Sequence, residues 1–171
     1  TTLFLGTSGG SLWKVENADG TPTMTDISGD SFPNGSISCV DLGSSENELI
    51  VTFSNYGVNS VWYSTDGGTS WASREGDLPD MPVRWVLMNP HSNQEVILAT
   101  EVGVWATTNF QSASPNWTAS NSGLANVRVD MLKHRSSDDL VIAATSSQET
   151  NITTAIIAKH LGAKRTIARI T

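Results

Sequence analysis

Residues 64–71 read Ser-Thr-Asp-Gly-Gly-Thr-Ser-Trp and follow a short run of β-forming residues. Asp66 in a tight turn is able to accept hydrogen bonds from nearby backbone N–H groups, and the two glycines permit positive φ. Trp71 would anchor the returning chain in an apolar layer. The stretch therefore predicts a hairpin that stabilises itself, and we interpret its residues as structural.

The segments around this hairpin recur with a period of about 45 residues. Each unit begins with an apolar run, and the three runs start at Ile37, Val83 and Val127. A period of this length with four short strands per unit is typical of β-propeller blades. The second strands of the units are Leu49–Phe53, Val96–Thr100 and Leu140–Ala144. The third strands contain Trp13, Trp62 and Trp105, and the fourth strands begin at Trp71 and Trp117.

Leu3–Thr7 reads as the second strand of an earlier, truncated unit. The predicted fold class is therefore mainly β, with about three four-stranded blades over residues 1–144. A single blade cannot bury both faces, so neighbouring blades must stack with the tryptophans between them. Trp85 is not a repeated residue, because the other two units have Cys39 and Val129 at the same position of the repeat.

Composition and charge narrow the functional classes. Residues 1–144 hold 16 acidic and 6 basic side chains, a net charge of −10, which opposes binding to nucleic acid. No run approaches the 18 or so apolar residues that span a bilayer. The chain opens inside a strand with no signal peptide, which suggests a mature form, a fragment or an engineered sequence. The one cysteine, Cys39, excludes an internal disulfide.

Residues 64–71 resemble the Asp-box, Ser/Thr-x-Asp-x-Gly-x-Thr/Ser-Trp, of sialidases, xyloglucan-cleaving glycosidases and sortilin-type receptors. The resemblance covers about residues 1–144, and residues 107–117 form a degenerate copy with Asn109 in place of the aspartate. In those families the box lies on the blade periphery, away from the catalytic centre, which implies a structural role here. The residues matched to the box are Ser64, Asp66, Gly68, Ser70 and Trp71.

Glycoside hydrolysis would need two carboxylates that face each other across a cleft. Asp41 and Asp130 lie near the innermost strands and are the weak candidates for such a pair, although they do not fall at matching repeat positions. The three histidines are far apart and have no ligand at metal-binding spacing, so no metal site and no cofactor is expected. The sequence favours a protein without enzymatic activity, and a glycoside hydrolase if it has one.

The last 27 residues depart from the repeat. Ser146 and Glu149 have the spacing of a capping box, an apolar helix is predicted over 149–161, and Gly162 suits its C-terminal cap. Thr166–Ile170 then reads as a strand, so the segment predicts strand, helix, strand. Its net charge is +3, opposite in sign to the rest of the chain.

Residues 139–171 are similar to the later half of the RCK domain, a Rossmann-like nucleotide-binding domain of potassium transporters and channels. The resemblance implies that Thr145 and Asn151, at the strand end and following turn, approach a dinucleotide, and they are weak cofactor-binding candidates. The glycine fingerprint of such a domain is absent. An abrupt switch at a shared strand, Leu140–Thr145, indicates a recombined or engineered chimera with domains 1–144 and 145–171.

Three functions remain open from the sequence. The first is a non-catalytic scaffold or interaction fragment, the second a carbohydrate-active or glycan-binding propeller, and the third a nucleotide-sensing module. A second copy that completes the propeller, a protein or a glycan are possible partners, whereas nucleic acid and membrane are not expected. The compartment is unknown, since the blades resemble secreted proteins and the tail resembles cytoplasmic domains.

Overall fold

The computed structural model describes residues 1–120, 127–135, 140–144 and 165–168, and these residues form fourteen β-strands. Within these ranges the structure contains no helix. The strands are β1 Leu3–Gly6, β2 Leu12–Glu16, β3 Thr23–Asp26, β4 Ile37–Leu42, β5 Leu49–Phe53, β6 Val61–Ser64, β7 Ala72–Ser73, β8 Val83–Asn89, β9 Ser92–Thr100, β10 Gly103–Thr107, β11 Thr118–Ala119, β12 Met131–Arg135, β13 Leu140–Ala144 and β14 Arg165–Ala168.

The strands pair into four sheets in chain order. Sheet 1 contains β1–β3, sheet 2 contains β4–β7 and sheet 3 contains β8–β11, and each is antiparallel with neighbours in sequence paired in space. Sheet 4 contains β12–β14. The mainly β class and the antiparallel sheets of three or four strands are confirmed, and sheet 1 lacks an innermost strand, as the truncated first unit predicts.

The innermost strand of sheet 4 differs from its predicted position. The repeat predicts a strand from Val127, whereas β12 begins at Met131 and pairs Met131 with Ala144. Pairing with β13 sets this register, and it makes Leu132, rather than Val129, the equivalent of Cys39. Val129 still donates its N–H to Thr100 O at 3.0 Å and is fully buried against sheet 3.

Sheet 4 also departs from blade order at its outer strand. β14 pairs with β13 in parallel, with Leu140 opposite Arg165 and Ala143 opposite Ala168. Parallel neighbours need a crossover connection, whereas the strands of a blade are joined by hairpins. The predicted helix over 149–161, Thr145 and Asn151 lie outside the described residues, so the strand–helix–strand tail is not seen.

Apolar side chains fill the spaces between successive sheets. One cluster joins sheets 1 and 2, a second joins sheets 2 and 3, and a third joins sheet 3 to Val129 and Leu132. All five residues of β5 are buried because sheet 2 is covered on both faces. The first cluster contains Leu12, Ile27, Leu49, Val51, Phe53 and Trp62.

Hydrogen bonds from tryptophan side chains tie sheet 2 to sheet 1 and sheet 3 to sheet 2. Trp71 Nε1 donates to Ile27 O at 2.8 Å, and Trp117 Nε1 donates to Arg74 O at 3.1 Å. Each acceptor lies just beyond the last strand of the preceding sheet. The repeated tryptophans are therefore packing and linking residues between sheets. Among the described residues, no helix has the length and apolar character needed to cross a bilayer.

Candidate functional site: the groove at the ends of the inner strands

Side chains and backbone groups link the innermost strands of sheets 2 and 3. Ser38 Oγ donates to Val83 O at 2.6 Å, and Met88 N donates to Asp41 Oδ2 at 2.9 Å. The buried Cys39 thiol lies 3.9 Å from Val86 O, and burial raises its pKa to about 12. The innermost strand of each sheet is an edge strand, with a strand partner on one side only. These contacts pair polar groups that would otherwise be exposed along the free edge.

The strand registers place three residues at one equivalent position. Asp41 lies opposite Ile50, Leu87 opposite Ile97, and His134 opposite Val141, each at the second residue of the sequence-aligned second strand. This alignment brings Asp41 and His134 to the same groove across Leu87.

The groove encloses about 630 Å³ where the inner strands end. Its lining is mixed: Asp41, Ser44, His91 and Asn93 supply polar groups, and the remaining residues include Leu42, Leu87, Met88, Asn89, Pro90 and His134. No group of three metal-ligating side chains is found among the described residues. The polar side chains of the lining are able to form hydrogen bonds with a polar ligand.

Asp41 is the carboxylate of this groove. Burial raises its pKa above the usual range, and hydrogen bonds from Met88 N and Leu42 N together with the nearby charge of His134 oppose that shift. A carboxyl group with a raised pKa is a candidate general acid. The hydrogen bond that Asp41 accepts from Met88 N also links sheets 2 and 3, so a structural role accounts for this carboxylate equally well.

Asp130 lies elsewhere. It precedes β12, four residues before His134, and its Oδ1 lies 2.6 Å from Arg128 Nε. Among the described residues, Asp130 is absent from the lining of the groove. The structure thus does not bring the two carboxylate candidates to one cleft wall.

Sequence reasoning missed Glu48, whose buried carboxylate lies behind the groove. Glu48 Oε1 accepts from Tyr63 Oη at 2.5 Å and its Oε2 accepts from Ser44 N at 2.8 Å. Burial pushes the pKa of Glu48 upward, and the hydrogen bonds from Tyr63 and Ser44 outweigh burial, so the pKa lies below its usual value. Gln111 of sheet 3 donates to Tyr63 Oη at 2.9 Å, which extends the network across two sheets.

The sequence does not predict that Glu48 is buried, because the residue lies in a polar turn, Ser44–Glu48, whose side chains are expected to face solvent. Its burial depends on Tyr63 and Gln111, which are distant in sequence. Burial and the hydrogen bond to Glu48 raise the pKa of Tyr63 to about 12. The network connects side chains of sheets 2 and 3, which indicates a role in joining these sheets.

The hairpin between β6 and β7 has the hydrogen bonds predicted for it. Asp66 Oδ1 accepts from Ser70 N at 2.9 Å and from Ser64 Oγ at 2.8 Å, and Asp66 Oδ2 accepts from Ser70 Oγ at 2.6 Å. Ser64 Oγ also accepts from Gly68 N at 2.9 Å, and Gly68 has φ +90°. The hairpin lies between the outer strands of sheet 2, away from the groove.

Residues 107–117 form a second hairpin of the same type. Asn109 Oδ1 accepts from Thr107 Oγ1 at 2.8 Å and from Asn116 N at 2.9 Å. Asn109 thus takes the position that Asp66 takes in sheet 2, with the insertion before Trp117 absorbed in the turn. The Asp-box resemblance itself stays a prediction.

Replacement of Asp66 by asparagine is expected to lower the free energy of unfolding by about 1 kcal/mol near neutral pH. Hydrogen bonds from Ser70 and Ser64 hold the pKa of Asp66 at about 2, below its ordinary value of 3.8. A depressed folded pKa contributes stability above pH 3.8 that is lost as the pH falls through 2. Because the side chain is exposed, water screening keeps the effect small.

Urea unfolding of the wild type and Asp66→Asn between about pH 2 and 6 checks this expectation. The difference in midpoint should shrink as the pH falls. Thr65→Ala, a change in the exposed neighbour, is the control and should leave the midpoint unchanged. A pH-independent difference between Asp66→Asn and the wild type would contradict the role of the ionised carboxylate.

Glu75 is a half-buried carboxylate in the loop between β7 and β8, and it does not line the groove. Its Oε2 accepts from Ser60 N at 2.6 Å and Val61 N at 3.1 Å. Burial raises the pKa of Glu75 to about 7, with the charge of Asp80 adding to the rise and the two N–H bonds opposing it.

Glu75→Gln is expected to flatten the pH dependence of stability. A carboxyl whose folded pKa is raised from 4.5 to about 7 contributes stability below pH 4.5 that is lost as the pH rises through 7. Glutamine keeps an oxygen acceptor for the two N–H groups and does not titrate. Between pH 5 and pH 8 the melting temperature should fall less for Glu75→Gln than for the wild type. Glu46→Gln, a change in an exposed carboxylate, is the control and should behave as the wild type does. An equal fall for Glu75→Gln and the wild type would contradict the raised pKa of Glu75.

Comparison with known proteins finds similarity among solved structures. No family model matches the chain, and no curated protein matches it. Among solved structures, the chain is similar to the GH74 xyloglucanase from Xanthomonas campestris, with a TM-score of 0.52 and 17% identical residues. The match covers 80% of this chain and 23% of the xyloglucanase, so the chain spans less than a quarter of that protein's length. At this identity the similarity shows the fold alone, a β-rich and propeller-like arrangement of sheets.

Proposed function

We propose that this chain is a non-catalytic scaffold of β-propeller blades. The observation that carries the proposal is the engagement of Asp41 in the link to Met88 N, while Asp130 is paired with Arg128 outside the groove. Glycoside hydrolysis needs two carboxylates roughly 5–10 Å apart across the scissile bond. The described residues provide one carboxylate in the groove and no facing partner.

An activity assay tests this proposal. The purified chain is expected to release no reducing sugar from a soluble β-glucan such as xyloglucan, or from a sialoside, above the rate in buffer. Turnover that is abolished in Asp41→Asn or Asp130→Asn, with unchanged circular dichroism, would overturn the scaffold proposal. The equivalent change at Asp30, an exposed carboxylate outside the groove, is the control.

The glycan-binding alternative is favoured by the groove itself. Its polar lining and its volume of about 630 Å³ suit part of an oligosaccharide, and one protein of similar fold is a xyloglucanase. Asn93 of sheet 3 and His134 of sheet 4 line the groove from two sheets. Titration with a xyloglucan oligosaccharide should shift the amide signals of residues 41–44 and 88–93 in a nitrogen–proton NMR spectrum, and His134→Ala should weaken the shifts. Unmoved signals at millimolar ligand would dismiss this alternative.

We infer further that residues 64–71 are an Asp-box and that the tail from residue 145 has a different origin from the blades, as in a chimera. The hydrogen bonds around Asp66 support the first inference. The parallel pair β13–β14 supports the second, because it departs from the antiparallel order of a blade. The domain boundary at 144/145 stays a prediction.

A nucleotide-sensing function of the tail is the remaining alternative. The parallel pair β13–β14 is compatible with a Rossmann-like sheet. A thermal-shift titration with NADH or ATP tests it: stabilisation that is lost in Asn151→Ala would support this alternative over the scaffold, and an unchanged melting temperature would remove it.

A further inference from the structure

The loop between β3 and β4 contains an asparagine followed by a glycine, Asn34–Gly35. In such a pair the backbone nitrogen of the glycine is able to attack the side-chain amide of the asparagine, because glycine has no side chain to obstruct the approach. Asparagine is one of the thermolabile residues of proteins. The side chain of Asn34 is exposed, and in the described part of the chain no hydrogen bond holds it. The pair therefore has the chemistry of a modification site.

Two aspartate–glycine pairs, Asp19–Gly20 and Asp66–Gly67, are open to the same ring closure. In both of them the glycine nitrogen is engaged: Gly20 N donates to Asn17 O at 2.9 Å, and Gly67 N donates to Asn47 O at 2.9 Å. A nitrogen held in this way must give up its hydrogen bond before it attacks a neighbouring carbon. These two bonds therefore oppose the reaction in the folded chain.

The carboxylates of these two pairs are held as well. Asp19 Oδ2 accepts from Thr1 Oγ1 at 3.1 Å, and Asp66 Oδ2 accepts from Ser70 Oγ at 2.6 Å. Gly35 N, by contrast, donates no hydrogen bond to any of the residues that the structure describes. The fold thus restrains two of the three pairs and leaves the reacting groups of the third without hydrogen bonds.

We propose that Asn34 is a site of spontaneous deamidation in the folded protein. Gly35 N forms a bond to Asn34 Cγ and gives up its proton, and the side-chain nitrogen leaves as ammonia, which closes a succinimide ring. Water then adds to one of the two carbonyl carbons of the ring and breaks the bond of that carbon to the ring nitrogen. One opening leaves an aspartate at position 34, and the other leaves isoaspartate, in which the main chain runs through the former side-chain carbon.

Isoaspartate at this position would lengthen the backbone where sheets 1 and 2 meet. On one side of the pair, a Cβ added at Gly10 would overlap Pro33 O, so the turn between β1 and β2 lies directly against the chain. On the other side, Ile37 N donates to Thr7 O of the same turn at 3.0 Å. An extra main-chain atom between these two contacts displaces one of them, because closely packed groups do not absorb added length. The isoaspartate form is therefore less stable than the unmodified chain.

Peptide mass spectrometry after incubation in mildly alkaline buffer, with and without urea, tests the proposal. An isoaspartyl methyltransferase marks isoaspartate in each peptide. In urea all three pairs are expected to react. Without urea the reaction at Asp19 and Asp66 should slow by roughly tenfold or more, because hydrogen bonds at both reacting groups must break, and the reaction at Asn34 should slow by less.

Asn34→Gln is the control, since it keeps an exposed amide on a longer side chain that does not close this ring. It should lose the modification at position 34 and leave the rates at Asp19 and Asp66 unchanged. Native Asn34 that stays intact while the unfolded chain is modified overturns the proposal. Slowing at Asn34 as large as that at Asp19 and Asp66 overturns it too.

Urea unfolding of the isoaspartate form, separated by chromatography, tests the structural consequence. Its midpoint should lie below that of the unmodified chain. Asn34→Asp adds the same charge to a normal backbone, and its midpoint should stay near that of the wild type because a single exposed charge changes stability little. Equal midpoints for the isoaspartate form and Asn34→Asp would contradict the displaced contact between sheets 1 and 2.

Discussion

Phe53→Ala is expected to lower the free energy of unfolding by about 3–5 kcal/mol. Phe53 is fully buried, and its ring lies edge-on to Phe32 with centroids 5.3 Å apart. It shares a cluster with Leu12 of sheet 1 and Trp62 of sheet 2. Truncation would leave a cavity at the interface between these sheets that rigid backbone on both sides cannot close. Since domains are typically stable by only about 5–15 kcal/mol, the loss is a large part of the total.

Urea unfolding, monitored by tryptophan fluorescence, measures this effect. Tyr56→Ala removes an aromatic ring of similar size that is 61% exposed, and it should change the free energy of unfolding by less than about 0.5 kcal/mol. A cost for Phe53→Ala below about 1 kcal/mol would mean that sheets 1 and 2 do not pack face to face.

Gly76→Ala is expected to cost about 3 kcal/mol, the second largest effect. Gly76 has φ +55°, and a Cβ added there would overlap the carbonyl oxygen of Pro115. That carbonyl is backbone and cannot move alone, because Asp77 N donates to it and Asp77 Oδ1 accepts from Trp117 N at 2.6 Å. The substitution would push apart the contact that ties the hairpin of sheet 3 to sheet 2.

Gly57→Ala is the matched control for backbone strain. Gly57 has φ +72° with no atom within 4 Å of an added Cβ, so it carries the strain of positive φ without the overlap. We expect a cost of about 1 kcal/mol for Gly57→Ala. Denaturant unfolding of both variants isolates the overlap, and equal costs would contradict the close approach at Pro115.

Most strands were predictable because each carries its own local pattern. The runs at Ile37–Leu42 and Leu49–Phe53 have the observed bounds, since apolar β-formers are flanked by polar turns. β9 is longer than predicted and begins at Ser92, because pairing with β8 extends the strand into residues whose side chains are polar. The sequence pattern predicts where a strand lies, whereas pairing with the neighbouring strand determines where it begins and ends.

The register of β12 could not be predicted from the local sequence pattern. Val127, Val129 and Met131 alternate as an inner strand would, so the repeat spacing alone favours a start at Val127. Pairing with β13 decides the start at Met131, and it brings His134 level with Asp41. The groove was therefore unpredictable from spacing, although Asp41 was a candidate.

The contacts between sheets were also partly predictable. Tryptophan at each repeat indicates packing between sheets, and the structure confirms burial of Trp62 and Trp117. The acceptors of the indole N–H groups are backbone carbonyls in irregular segments, such as Arg74 O, and no residue pattern marks them. Likewise Glu48 reads as a turn residue until Tyr63 and Gln111 are brought to it.

NMR cross-peaks of the indole protons of Trp71 and Trp117 test the stacking of successive sheets most directly. We expect nuclear Overhauser contacts from Trp71 Hε1 to residues 27–28 and from Trp117 Hε1 to residues 74–75, which follow the last strand of the preceding sheet in each case. Indole protons that show contacts only within their own hairpins would contradict the stack.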